Sequence, residues 1–180
     1  SLGLVGSEMC IRDRDNMELK ILKQEETPEN VIEHSKAVYK KAMVIAANFK
    51  NADKDLIKKG ALLHDIGRSK THGISHAVEG AKIVKQYGYP EEVQNIVERH
   101  IGAGITEEES VKLGLPKKSY IPQTIEEKIV AHADNLLSGT KDVDIDFDIA
   151  KWKRKIDKPE ENIKRLIELD NELIKAFEDD

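Results

Sequence analysis

The chain has 180 residues, enough for one domain whose core needs no disulfide or structural metal to hold it together. An apolar fraction of 39%, a charged fraction of 35% and 4% aromatics fit a soluble helical protein with charged outer faces, and no stretch approaches a membrane span. Lys and Arg number 29 against 34 Asp and Glu, a net charge of −5 that argues against broad nucleic-acid or anionic-membrane binding.

The stretch from Leu4 to Arg14, LVGSEMCIRDR, reads as translated sequencing-adaptor sequence. Residues 1–14 are therefore set aside as a non-native tail, and the folded chain is expected to begin near Met17. The single cysteine, Cys10, falls in that tail, so thiolate ligands are excluded and a reducing cytoplasm is the expected compartment. Any metal must be held by nitrogen and oxygen.

Thr27 reads as an N-cap and Pro28 as the first residue of a helix running to about Phe49. His34 fills the gap between Val31 and Val38 on its apolar stripe and so points inward, where, taken alone, an ordinary core hydrogen bond is the better reading. Asp53 can cap the next helix, whose buried face ends at His64-Asp65, with Gly67 as a left-handed stop. A lone His-Asp pair is more often a satisfied histidine beside a solvated aspartate. At a helix end, however, both side chains can reach one ion, and company elsewhere changes the reading.

Arg68 to Ile74 forms a short basic connection in which Arg68 and Lys70 suit a phosphate or, equally, an exposed loop. Ser75 caps a third helix that stops at Gly88. His76 is its better ligand candidate, because Gly73 and the cap leave His72 outside the helix as a weaker one. Pro90 opens a helix with Val93, Ile96, Val97, His100 and Ile101 on one face. Thr106 with Glu109, and Thr124 with Glu127, form capping boxes for two more helices.

The second of these helices runs to Leu137 and places Asp134 on its apolar side. An unpaired carboxylate there would cost several kcal/mol or be driven neutral, and a metal answers this most simply. His132 and Asn135 point to other faces, which suits surface or supporting roles. From Asp142 to Ile149 acid and apolar residues alternate with the period of a strand, and an exposed acidic linker is expected. A calcium loop fails there, because Phe147 stands where glycine is needed and Lys153 where glutamate is. Pro159 then starts a terminal amphipathic helix with Ile163, Leu166, Ile167, Leu173, Ile174 and Phe177 on one side, for packing or dimerisation.

The ordered set His34, His64-Asp65, Asp134 resembles the HD-domain metal-dependent phosphohydrolase superfamily from about Pro28 to Ser138. The HDIG tetrapeptide from His64 to Gly67, the THG run at Thr71, the HAVEGA run at His76 and the EKIVAHADNL run from Glu127 to Leu136 sharpen it towards the small HDIG proteins best known from archaeal genomes. The resemblance implies an all-α HD-domain helical bundle over residues 17–140, with an acidic linker and amphipathic helix over 141–180 packed on the same domain. It also implies that His34, His64, Asp65 and Asp134 bind a divalent ion, with His76 and His100 serving a second ion bridged by Asp65 or binding phosphate. The GYP signature of the cyclic-dinucleotide branch is absent.

Nitrogen and oxygen ligands suit Mn, Fe, Zn, Co, Ni or Mg, one or two ions per chain. A metal-activated water acting on a phosphomonoester, a phosphodiester or a nucleotide is the leading expectation, with a small phosphorylated partner, expected to be a nucleotide, and no membrane partner. The competing readings are a non-catalytic metal- and nucleotide-binding sensor and a purely structural helical protein. A homo-oligomer through the terminal helix is left open.

Overall fold

The computed structural model describes residues 16–178. Among the described residues the fold is all-α apart from one two-stranded ribbon. Its helices are α1 Met17–Gln24, α2 Glu29–Ala46, α3 Lys54–Leu63, α4 His76–Gln86, α5 Glu91–Glu98, α6 Glu107–Lys112, α7 Ile125–Asn135, α8 Ile145–Lys155 and α9 Glu160–Leu173. A 3-10 turn, Ile66–Ser69, follows α3, and an antiparallel hairpin of β1 Leu137–Ser138 and β2 Lys141–Asp142 follows α7. Among the described residues no helix is long and apolar enough to cross a membrane.

The short helix α3 is the hub, packed by α1, α2, α5 and α7. Asp53 caps it, accepting from the Leu56 N–H at 3.0 Å, and its last turn, from Gly60 to Leu63, is entirely buried. Close approach makes this possible. A Cβ on Gly60 would lie 2.4 Å from Ile96 Cγ2 of α5, so only glycine lets the two helices meet there. Apolar residues of α1, α2, α3, α4, α5, α7 and α9 share one core. Tyr87 donates to Glu25 Oε1 at 2.6 Å and Tyr89 to Glu18 Oε1 at 3.1 Å, latching α1 onto the end of α4.

Local readings of the sequence hold where a cap or a strong stripe defines the helix, as at Asp53, at the Thr106–Glu109 box and in α3. Elsewhere the structure differs. Pro28 itself is the cap residue of α2, Thr27 Oγ1 is buried without a partner, and the helix ends at Ala46 rather than Phe49. Ser75 makes no side-chain cap bond. At Thr124 the box is half made, because the Glu127 carboxylate turns instead to Arg99 Nη1, 3.0 Å from both of its oxygens, and to the Gln123 N–H at 2.7 Å.

The expected extended linker is a helix. Asp144 caps α8 by accepting from the Asp146 N–H at 3.1 Å, and Ile145, Ile149 and Trp152, spaced four and three apart, pack on the core. An alternation of apolar and acidic residues contains that helical spacing as well as the period of a strand, and contact with the bundle selects the helix. In α9 the buried positions are Leu166, Leu169, Asp170 and Leu173, while Ile167 stays 38% exposed.

Gly67 is not a left-handed stop; it lies in the 3-10 turn, outside the positive-φ glycines. Its requirement is steric. A Cβ would lie 1.8 Å from the His76 carbonyl oxygen and 2.7 Å from the Gly80 nitrogen. Gly67→Ala must therefore push the turn away from α4, and it is expected to cost about 3 kcal/mol, roughly 6–12 °C in melting temperature. Gly73→Ala, whose nearest neighbour would be Thr71 Oγ1 at 3.6 Å, is the control and should melt within about 2 °C of wild type. Thermal unfolding of the two variants side by side checks both expectations.

Candidate metal centre

Four imidazoles are oriented by one device. His64 directs Nδ1 to the Ala61 carbonyl at 2.7 Å, His76 to Gly73 at 2.8 Å, His100 to Val97 at 2.7 Å and His34 to Gly139 at 2.6 Å. A carbonyl only accepts, so each Nδ1 carries the proton; a neutral ring then presents the lone pair of Nε2, whereas His34 Nε2, 2.9 Å from Asp134 Oδ1, donates to that carboxylate when its ring is protonated. His64 and His100 sit just past the ends of α3 and α5, where last-turn carbonyls lack helical partners and are free to accept. His34 depends on the hairpin instead: Gly139, at φ +62, turns its carbonyl onto α2.

Those Nε2 atoms converge on two carboxylates. Around Asp65 Oδ2 lie His64 Nε2 at 3.6 Å and His34 Nε2 at 3.8 Å, and Asp134 Oδ1 completes the group at 2.9 Å from His34 and 3.8 Å from His64. The other oxygen, Asp65 Oδ1, faces His76 Nε2 at 3.1 Å and His100 Nε2 at 3.3 Å, which are themselves 3.1 Å apart. Ligands about 2.1 Å from one ion stand roughly 3–3.5 Å from each other, and these separations, from 2.9 to 3.8 Å, bracket that range. The sets His34, His64, Asp134 and His64, Asp65, His100 are each compact enough to hold an ion.

Polar satisfaction leads to the same place. Both His64 Nε2 and Asp65 Oδ1 are buried without a hydrogen-bond partner, the histidines near Oδ1 being close but not in bonding geometry. Acceptors facing acceptors in a buried site repel unless a cation lies between them. Nitrogen and carboxylate oxygen, with no thiolate among the described residues, fit a divalent first-row ion or Mg.

The remaining expected residues separate. Arg68 Nε lies 3.0 Å from Asp65 Oδ2, so its guanidinium borders the cluster. Lys70 is turned away to Glu25 Oε2 at 3.2 Å, and His72 is exposed, outside the group, offering only its carbonyl to Arg68 at 3.5 Å. His132 is not at the surface. It is fully buried, with Nε2 bonded to Asp170 Oδ1 of α9 at 2.8 Å, because α9 covers a face of α7 that its own sequence leaves polar. Asn135 is buried too and donates to the Gly102 carbonyl at 3.0 Å. No local pattern marks Gly139 or Asp170 as partners of histidines 105 and 38 residues away.

In the ion-free protein the neighbouring rings of His34 and His64, 5.3 Å apart, titrate in opposite directions. For His34 burial pulls the pKa down, but the Asp134 hydrogen bond and charge, the Gly139 carbonyl and Asp65 outweigh it and raise it to about 9. Burial dominates at His64 and lowers its pKa to about 4, against the pull of Asp65 and Asp134. A raised pKa contributes stability in full below the ordinary value of 6.5 and loses it as pH rises through about 9. Asp134 is resisted by burial and held low by His34, His64 and His100, so its contribution is present above 3.8 and fades as pH falls through the depressed value. Imidazole NMR titration of chelator-treated protein should find one ring near pH 9 and one near pH 4. Two rings titrating near 6.5 would contradict the pairing.

A family profile described as HD domain matches residues 31–139, more than half of the chain and the segment that carries all four core residues. The uncharacterized protein MJ0778 of Methanocaldococcus jannaschii is 53% identical over 149 residues, covering 81% of this chain and 88% of that protein. A tRNA (cytidine(56)-2'-O)-methyltransferase of Picrophilus torridus is 50% identical over 145 residues, but the chain spans only 42% of its length. Among solved structures, the HD domain of the L. monocytogenes phosphodiesterase PgpH superposes with a TM-score of 0.54 at 20% identity, over 90% of this chain and 99% of that one. A second structure of that domain, in complex with cyclic-di-AMP, gives the same TM-score of 0.54. The profile match, the 53% identical relative and the shared helical fold agree: the chain belongs to the HD-domain family.

Proposed function

We propose that the protein is a metal-dependent phosphohydrolase acting on a phosphomonoester, a phosphodiester or a nucleotide. The observation that carries the reading is the convergence of the Nε2 atoms of His34, His64, His76 and His100 on the two oxygens of the buried Asp65 carboxylate, with His64 Nε2 and Asp65 Oδ1 left without a hydrogen-bond partner. His34, His64, Asp65 and Asp134 hold one divalent ion in this proposal, and Asp65 bridges it to a second, weaker one held with His76 and His100. A bound ion supplies an acidified water as nucleophile and neutralises charge growing on the phosphate. Arg68, already at the rim on Asp65, orients the phosphate through its remaining N–H groups. Lys70 has no part in this reading, because its ammonium is engaged with Glu25.

One finding favours a second reading. In the Picrophilus methyltransferase the similar region is a minor part of a longer protein, so this fold is carried there beside another activity. A metal- and nucleotide-binding module that senses a ligand fits that arrangement. Tight nucleotide binding without turnover, accompanied by a ligand-dependent change in oligomeric state, would favour it.

The test of catalysis is to strip the protein, add back Mn, Co, Ni or Mg separately, and assay a panel of nucleotides and phosphodiesters. Turnover should vanish on stripping and return with at least one ion; silence under every condition would count against an enzyme. Arg68→Ala should lower kcat/KM about 100-fold with metal content unchanged. His100→Ala should reduce bound Mn from two ions towards one, measured by elemental analysis. A wild-type protein that saturates at one ion refutes the bridged pair and leaves the first site standing.

A further inference from the structure

In the proposed phosphohydrolase reading the histidine and aspartate cluster accounts for the phosphate end of a substrate and for nothing beyond it. The chain's single tryptophan, Trp152 of α8, stands close by in the C-terminal extension. Its six-membered ring lies over Gly102, where a Cβ would be 3.2 Å from Cζ2 and 3.4 Å from Cη2. Gly102 has φ +58, follows His100 by two residues, and is held through its carbonyl by Asn135, the neighbour of Asp134. The indole thus covers the backbone that joins two segments of the cluster.

A further contact ties this part of the chain to the cluster: the Gly139 carbonyl orients His34. One helical turn before Trp152, the carboxyl of Asp148 is buried and paired with Lys151. Trp152 packs on the core beside Ile145 and Ile149 and, like them, is only half-buried, so part of its indole stays open. A flat indole left partly open near the histidine and aspartate cluster is a surface for another flat π system. A nucleobase supplies one, and a sugar phosphate does not.

We infer that Trp152 is the base platform of this site, stacking the nucleobase of a nucleoside phosphate whose phosphate lies at the His34, His64, Asp65 and Asp134 cluster. This rests on the proposed phosphohydrolase reading and narrows its substrate class to nucleotides. The net charge of −5 leaves the phosphate to the bound ion and Arg68, so stacking adds affinity without adding positive charge.

AMP and ribose 5-phosphate differ by the base alone. Their dissociation constants are measured on Mg-loaded full chain by rapid ultrafiltration on ice, before turnover matters. Wild type should bind AMP about 5- to 150-fold tighter than ribose 5-phosphate. AMP, but not ribose 5-phosphate, should quench the fluorescence of the only tryptophan. Trp152→Leu should bring the two ligands level while ribose 5-phosphate binds as before, and Trp152→Phe, which keeps a ring, should retain most of the preference. Equal affinities in wild type, or a preference that survives in Trp152→Leu, overturn the base platform and leave phosphate binding intact. Failure of both ligands to bind overturns the base platform and the phosphohydrolase reading together.

Discussion

Asp65 is the group on which the rest of the structure depends. Its carboxylate is buried, with one oxygen turned to His34 and His64 and the other to His76 and His100. Burial alone would drive such a group neutral, yet the charge of His64 and the close Nε2 atoms of His100 and His76 hold it well below the ordinary carboxylate range. A carboxylate kept ionised inside a bundle and ringed by imidazoles is a ready seat for a cation. The fold can be read as the arrangement that delivers four helix segments to it.

That delivery works through helix ends and missing side chains. His64 and His100 lie past the last turns of α3 and α5, and His76 begins α4, so each ring is locked to a carbonyl three residues before it. The ends can meet because Gly60 brings α3 onto α5 and Gly67 brings the turn after α3 onto α4. Side chains at either position would separate the histidine-bearing ends. The second residue of the HDIG pair and the last are therefore linked physically: the glycine sets how near Asp65 comes to His76.

Residues beyond α7 belong to the same construction. The hairpin carbonyl of Gly139 orients His34, Asp170 of α9 satisfies His132 two residues before Asp134, and Trp152 covers Gly102. Arg165 of α9 reaches Glu109 of the α6 capping box at 2.8 Å, tying the extension to the loop after His100. A sensor and an enzyme would both profit from such coupling, and turnover is what separates them.

The sequence by itself marked the residues that the structure brings together, His34, His64, Asp65, His76, His100 and Asp134, because a histidine or aspartate on an apolar face stands out against its neighbours and the HDIG run orders them. It also determined α3 and α6, where a cap and a stripe agree. What it could not determine depends on partners far along the chain. His132 read as a surface or supporting residue until α9 covered it, Lys70 read as suiting a phosphate or an exposed loop until Glu25 at the end of α1 met it, and Gly67 read as a left-handed stop until His76 lay against it. The stretch from Asp142 to Ile149 carries two periods at once, and packing of Ile145, Ile149 and Trp152 on the bundle chose the helical one. Local pattern encodes which side chains can take part; only long-range contact decides which of them meet, since burial and hydrogen bonding are properties of pairs rather than of residues.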